Sequence, residues 1–276
     1  MNSPRSRQDT LLDASVFLCF VLSGAAGLVY QIVWMRLLGL IFGHTVFAVA
    51  TVLAAFMAGL AFGAWLFGRL IDQRGRPLRV YGLIEGAVGL YVLLVPALFA
   101  EAQAVYVWLY RALGLSFVSF SLAQFVLVFL ILLPPTTLMG ASLPVLARFF
   151  VRRLEGLGRK VADLYALNTL GAVLGAAATG FFLLPAVGVR AATALAAAIN
   201  IGVAAWALAA DRWGRQPHGA PPVEALAEAL PPEMDGTEPA QLVTWLVLAG
   251  AGLAGAASMI YEVAWSRALR LVLGSS

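Results

Sequence analysis

Six stretches of this chain each carry about twenty predominantly apolar residues, the length an α-helix needs to cross the hydrocarbon core of a bilayer. They run from about Leu12 to Leu40, Val46 to Leu70, Val80 to Ala100, Ser116 to Phe150, Val161 to Leu184 and Ala191 to Ala210, and a seventh starts near Leu242. Composition agrees: 12% of the 276 residues are charged and 62% are hydrophobic, where a soluble domain holds about 25% charged residues. Period-2 alternation is absent, which disfavours a β-barrel. The expected fold class is therefore an all-α integral membrane protein with about seven transmembrane helices. The basic start and early apolar run imitate a secretory signal. However, the run continues as far as Phe42, well past the roughly 7–15 residues of a signal core, so a retained first helix is expected.

Basic residues set the expected orientation. With the N-terminus in the cytoplasm, the inside segments hold Arg5, Arg7, Arg69, Arg74, Arg76, Arg79, Arg148, Arg152, Arg153, Arg159, Lys160, Arg212 and Arg215. The outside loops hold only Arg111 and Arg190, and Arg36, Arg267 and Arg270 lie within or at the ends of helices. This is a strong positive-inside bias. It also accounts for the net charge of +4 without a nucleic-acid partner. Residues 211–240 differ from the rest, with six prolines and six acidic residues, and read as a cytoplasmic tether in which "VEALAEAL" can form a short amphipathic helix. The lone Cys19 rules out an intrachain disulfide, and His44 and His218 stand without carboxylate or thiol neighbours. No metal site or cofactor is expected, and no phosphate loop or nucleophile elbow appears.

The chain repeats itself. "LSGAAGLVYQIVWMRLLGLIFGHT" (22–45) overlies "LAGAASMIYEVAWSRALRLVLGSS" (253–276) without a gap, and ten of the 24 pairs are identical, among them Tyr30/Tyr261, Trp34/Trp265 and Arg36/Arg267. Leucines and alanines match by composition alone, whereas Tyr, Trp and Arg at one spacing do not. The seventh helix is expected to be the first of a second copy. The domain plan is then residues 1–210 as a six-helix membrane half, 211–240 as a linker, and 241–276 as the opening of a second, truncated repeat. Both copies start on the same side with six helices between the starts, which describes parallel halves. Two explanations are open for the single helix of the second copy: the chain is a fragment of a longer or split protein, or partner subunits cover the surface that further helices would bury.

"GRLIDQRGR" (68–76) follows the second helix. Its Gly68, Asp72, Gly75 and Arg76 resemble the loop signature of the major facilitator family, where the carboxylate helps latch two halves on the cytoplasmic side. A basic turn that only orients two helices is the plainer alternative. A longer string of motifs is more specific. "SGAAGLVYQIVWMRLLG", "PPTTLMGASLPVLARFF" and "LYALNTLGAVLGAAATGFFLLPAVG" together resemble the membrane portion of the fused major-facilitator/spermidine-synthase proteins, over about residues 14–210 and 242–276. The resemblance implies a bacterial inner-membrane, multi-pass protein in which a helical domain precedes an aminopropyltransferase-like domain. No glycine-rich, acidic nucleotide-binding stretch of that domain is found here, so any such enzymatic activity would need a domain these residues lack.

Candidate site residues are the polar side chains inside apolar helices, where polar groups are expensive and usually functional. Tyr30, Gln31, Trp34 and Arg36 with Tyr261, Glu262, Trp265 and Arg267 suit an amine or polyamine through ion pairing and cation–π contact. The plainer reading makes the arginines snorkelling groups and the tryptophans interface anchors. Glu85, surrounded by glycines 82, 86 and 89, reads as a proton or cation site, or as a partner of Arg69 or Arg79. Asn168 reads as an interhelical hydrogen-bonding amide. In the fourth segment Pro134-Pro135 should kink or break the helix, with Thr136, Thr137 and Ser142 available to the freed carbonyls.

Two functional readings follow. One is the transporter-like membrane portion of a spermidine-synthase-like protein, handling a polyamine or other small cation. The other is a non-catalytic scaffold, accessory subunit or membrane anchor for an aminopropyltransferase. The partners expected are the lipid bilayer, further membrane subunits or a second half, and a polyamine.

Overall fold

The computed structural model describes residues 7–42, 46–71, 76–113, 116–150, 157–213 and 239–273, and among these it is almost entirely helical, with no strand. The helices are α1 (Arg7–Phe42), α2 (Val46–Leu70), α3 (Pro77–Val92), α4 (Val95–Leu113), α5 (Phe117–Phe150), α6 (Leu157–Ala178), α7 (Leu184–Trp213) and α8 (Pro239–Leu273). A π-helical turn, Thr179–Leu183, joins α6 to α7. By length and apolar composition five stretches can cross a membrane, or six if the bent pair α3–α4 counts as one. One of the five, Gly158–Arg212, is 55 residues long, about 80 Å as a straight helix. Gly188, at φ 74° and ψ 179°, interrupts it.

Three expectations change. The third apolar segment is not one helix: α3 and α4 meet at Leu93–Leu94 with a bend of 49°. Pro96 explains the position, because it has no N–H for the carbonyl of Val92 and its ring crowds that carbonyl. Helix α4 then continues to Leu113, through residues expected to form an outside loop. The fourth segment, by contrast, does not break, and α5 runs through Pro134, Pro135 and Pro144. The carbonyl of Ile131, which Pro135 deprives of its helical partner, instead accepts a bond from the Tyr91 hydroxyl of α3 at 3.0 Å. Thr136 turns its hydroxyl to Leu132 and Leu133 carbonyls, at 2.7 and 3.1 Å, and Ser142 bonds elsewhere. Finally, α7 extends to Trp213, so the first residues assigned to the linker are helical. Linker residues 214–238 and both histidines lie outside the described residues, and residues 239–240 already belong to α8.

The packing has an internal order. The principal pairs are α2 with α5, α1 with α6 and α3 with α7, followed by α1 with α7 and α3 with α5, then α1 with α2 and α5 with α6. Exchanging α1, α2 and α3 for α5, α6 and α7 leaves this set of pairs unchanged. Glycine contacts obey the same exchange. A methyl group on Gly24 would meet the carbonyl of Asn168, and one on Gly171 the carbonyl of Val21; equally, one on Gly140 would meet the carbonyl of Leu60, and one on Gly63 the carbonyl of Thr137. Seven of the nine buried positions of α3, Leu78, Tyr81, Gly82, Glu85, Val88, Gly89 and Val92, recur as buried positions of α7 115 residues later, as Thr193, Ala196, Ala197, Asn200, Val203, Ala204 and Ala207. A Cβ on Gly82 would lie 3.1 Å from the carbonyl of Ala204, and one on Gly89 3.1 Å from that of Ala197, contacts that the exchange converts into each other. The seven helices therefore carry a pseudo-two-fold relation between two triplets, with the bent α4 as an addition to the first.

Candidate functional site

At the centre of this arrangement is Glu85 of α3, one of the largest fully buried side chains. The glycines around it bring α3 close to α7, and the register that follows from them sets Glu85 opposite Asn200. The amide of Asn200 donates to Oε2 at 2.6 Å. The hydroxyls of Ser23 on α1 and Ser142 on α5 donate to Oε1 at 2.7 and 3.2 Å. Tyr30 of α1 donates its hydroxyl to Oδ1 of Asn200 at 2.9 Å, which fixes the amide with its nitrogen toward the carboxylate. Four helices thus converge on one acid, and among the described residues no basic side chain pairs with it. Three hydrogen bonds to a charged group, at about 1.5–3 kcal/mol each, match the several kcal/mol needed to desolvate a carboxylate. The cluster separates two apolar cores. One holds Tyr30, Trp34, Phe56, Val88 and Leu132; the other holds Cys19, Phe20, Tyr81, Val145 and Val203.

The expected partners of Glu85, Arg69 and Arg79, are not used. Arg69 instead lies over the Trp65 ring, 4.6 Å from its centroid. Tyr30, Gln31 and Trp34 are buried. Tyr30 and Trp34 stack at 5.8 Å, with Phe56 tilted against the indole at 6.3 Å, and Nε1 of Trp34 is buried without a hydrogen-bond partner among the described residues. Arg36 and Arg267 are exposed. The second copy of the motif is placed differently: Tyr261 and Trp265 are each 65% exposed, where Tyr30 and Trp34 are at 0%. Glu262 is half-buried, and α8 makes its main contact with α2. The structure therefore does not bring the two copies of the motif into one site. Asn168 abuts Gly24, and among the described residues its amide makes no hydrogen bond, so its contribution here is to close packing of α1 on α6.

Of the proposed latch, Asp72 and Gly75 lie outside the described residues, and a Cβ on Gly68 would meet nothing within 4 Å. Arg76 pairs with Asp211 at the end of α7, at 2.7 Å. That joins α3 to α7, two helices of the same bundle. A second ion pair, Lys160 with Asp13 at 3.0 Å, ties α6 to α1 beside the stacked Phe17 and Phe150 rings, whose centroids are 5.1 Å apart. Asn200, Ser23 and Tyr81 went unnoticed in the sequence. The clue was available for Asn200, an amide in an otherwise apolar helix.

No family model and no solved structure matches the chain. Two curated proteins of Streptomyces coelicolor do. Polyamine aminopropyltransferase 2 is 30% identical over 200 residues, 71% of this chain and 33% of the relative. Polyamine aminopropyltransferase 1 is 29% identical over 183 residues, 64% of this chain and 30% of the relative. The chain thus spans about a third of the length of these relatives, and it is a distant homologue of proteins named polyamine aminopropyltransferase.

Proposed function

We propose that this chain is the transporter-like membrane portion of a polyamine-related protein of the bacterial inner membrane, with its N-terminus in the cytoplasm. In this reading α1 to α7 form one major-facilitator-like half, and α8 opens a second. The observation that carries it is the reuse of one motif in two settings. In α1 the Tyr-x-x-x-Trp pair is packed against Asn200 and Phe56, whereas in α8 the same pair lies exposed beside Glu262. A further set of membrane helices laid on α8 would enclose Glu262 with two aromatic rings, a chemistry that suits an amine. Similarity to polyamine aminopropyltransferases over some 70% of the chain supports a polyamine as that amine. The internal exchange of helix triplets supports the major-facilitator comparison, since such halves are built from inverted three-helix repeats.

Uptake of radiolabelled spermidine into vesicles holding the longest natural form of the protein tests the reading. We expect uptake that Glu262→Gln lowers at least tenfold. Vesicles without uptake, in which aminopropyltransferase activity nevertheless stays in the membrane fraction, would replace it with the anchor reading. The specific observation favouring that second reading is the dense packing around Tyr30 and Trp34.

A further inference from the structure

The Glu85 cluster occupies a singular place. Under the exchange of helix triplets, most positions contact a residue other than their own equivalent. Glu85 and Asn200 are equivalents of each other, 115 residues apart, and they are hydrogen-bonded to each other. They therefore sit on the pseudo-two-fold axis, in the middle of the membrane-spanning segments and between the two apolar cores. We propose that this axial pair is a proton-binding site, with Glu85 taking up and releasing H⁺ while Asn200 holds its orientation.

The geometry decides which cation and which oxygen. Each carboxylate oxygen already has a neighbour at 2.6–3.2 Å, and α3 and α7 are in close contact on both sides of Glu85, at Gly82 and Gly89. A proton fits such a place without moving the helices, whereas an alkali ion or an ammonium group does not. Oε2 faces an amide nitrogen, which only donates, and Tyr30 keeps that amide from turning. The proton therefore goes to Oε1. Hydronium gives up H⁺, an O–H bond forms at Oε1, water leaves, and no electron is transferred. The new O–H needs an acceptor, and a serine hydroxyl can serve as one by rotating. Ser23, at 2.7 Å, is the nearer of the two. Its own hydrogen must then turn elsewhere. The Tyr81 hydroxyl, fully buried, lies against Ser23 and Glu85, and its acceptor position takes that hydrogen.

The other titratable groups facing Glu85 are Cys19 and Tyr30 of α1 and Tyr81 of its own helix. Among the described residues, α5 and α7 present only Ser142 and Asn200 to it. The proposal does not depend on a polyamine being handled.

Infrared difference spectroscopy of the full chain in lipid nanodiscs, between acid and alkaline buffer, tests it. We expect a carboxylic-acid C=O band that appears on acidification, shifts in heavy water and is lost in Glu85→Gln. Ser23→Ala should make proton binding to that group about tenfold tighter, because the charge-assisted bond that the carboxylate loses at 2.7 Å outweighs the neutral one that the acid loses. Tyr81→Phe should perturb the band position, because the rotated Ser23 hydroxyl loses its acceptor. The absence of any titrating band that Glu85→Gln removes would overturn the proposal. If Glu85→Gln does not fold, a midpoint unmoved by Ser23→Ala, with a band unchanged in Tyr81→Phe, would overturn it equally.

Discussion

Gly63→Ala is the smallest change that should disturb the whole bundle. The added methyl would meet the carbonyl and carbonyl carbon of Thr137, with the backbone nitrogen of Ala141 close behind. None of these is a flexible side-chain end. Relief requires α2 and α5 to separate by roughly an ångström, and a gap of 0.5–1 Å forfeits a quarter to a half of each van der Waals well, itself about 0.1–0.2 kcal/mol. The seam between these helices is the most extensive in the structure and includes Val52, Ala55, Phe56, Leu132 and Ala141. Losing about a third of some thirty atom contacts gives about 1.5 kcal/mol, within the 1–3 kcal/mol usual for overpacking. Gly171→Ala presses on the Val21 carbonyl in the exchanged setting, so its loss should be of the same size. Gly202→Ala meets nothing within 4 Å and should leave stability unchanged or slightly raised, since Gly in a helix is about 1 kcal/mol worse than Ala. Reversible unfolding by steric trapping in bicelles reads all three. If Gly63→Ala and Gly171→Ala fall within about 0.5 kcal/mol of Gly202→Ala, below the usual overpacking range, the close approaches are not real constraints and the argument for paired triplets fails.

Tyr91→Phe removes the hydroxyl that serves the Ile131 carbonyl beside Pro135; a loss of about 1 kcal/mol is expected, with faster amide exchange in α5 near Leu132. Tyr30→Phe leaves Oδ1 of the buried Asn200 without its donor and should cost about 1–2 kcal/mol in the same unfolding assay. Lys160→Met breaks the pair with Asp13 but keeps contact with the Phe17 and Phe150 rings, so a loss below about 1 kcal/mol is expected for this partly exposed pair. Tyr261→Cys should react quickly with a lipid-soluble maleimide in the isolated chain, where the native Cys19 is buried, and slowly in a longer form whose added helices cover α8.

Much of the architecture was legible because it depends on one-dimensional quantities. Apolar run length and arginine spacing locate helices without any knowledge of neighbours. The break at Leu93–Leu94 was also readable in principle, from Pro96. The uninterrupted α5 was not. A proline pair weakens a helix locally, and only a side chain 40 residues away, Tyr91, repairs the loss. The same limit applies to Glu85. Its sequence neighbours offer Arg69 and Arg79 as partners, while its actual partners come from helices 57, 62 and 115 residues away. Exposure also escaped the motif. Tyr30 and Tyr261 have nearly the same local sequence, and burial differs because α7 lies against Tyr30 and not against Tyr261, which is exposed.

The triplet relation explains why the axial pair is hard to see by alignment. Along α3 and α7 the burial pattern recurs at seven positions, yet Ile84/Ile199 and Val88/Val203 are the only identical residues from Leu78 to Val92 at that offset. Positions away from the axis are free to diverge, since each packs on a different partner. The position on the axis is under the opposite constraint, because it touches its own equivalent. Two carboxylates there would repel, and one would have to be neutral. Two amides would pair well but could not change charge. One carboxylate and one amide is the combination that supplies an acceptor and a matching donor while keeping a single titratable group. Glu85 and Asn200 therefore differ for a reason that positions away from the axis lack: each must complement its own equivalent.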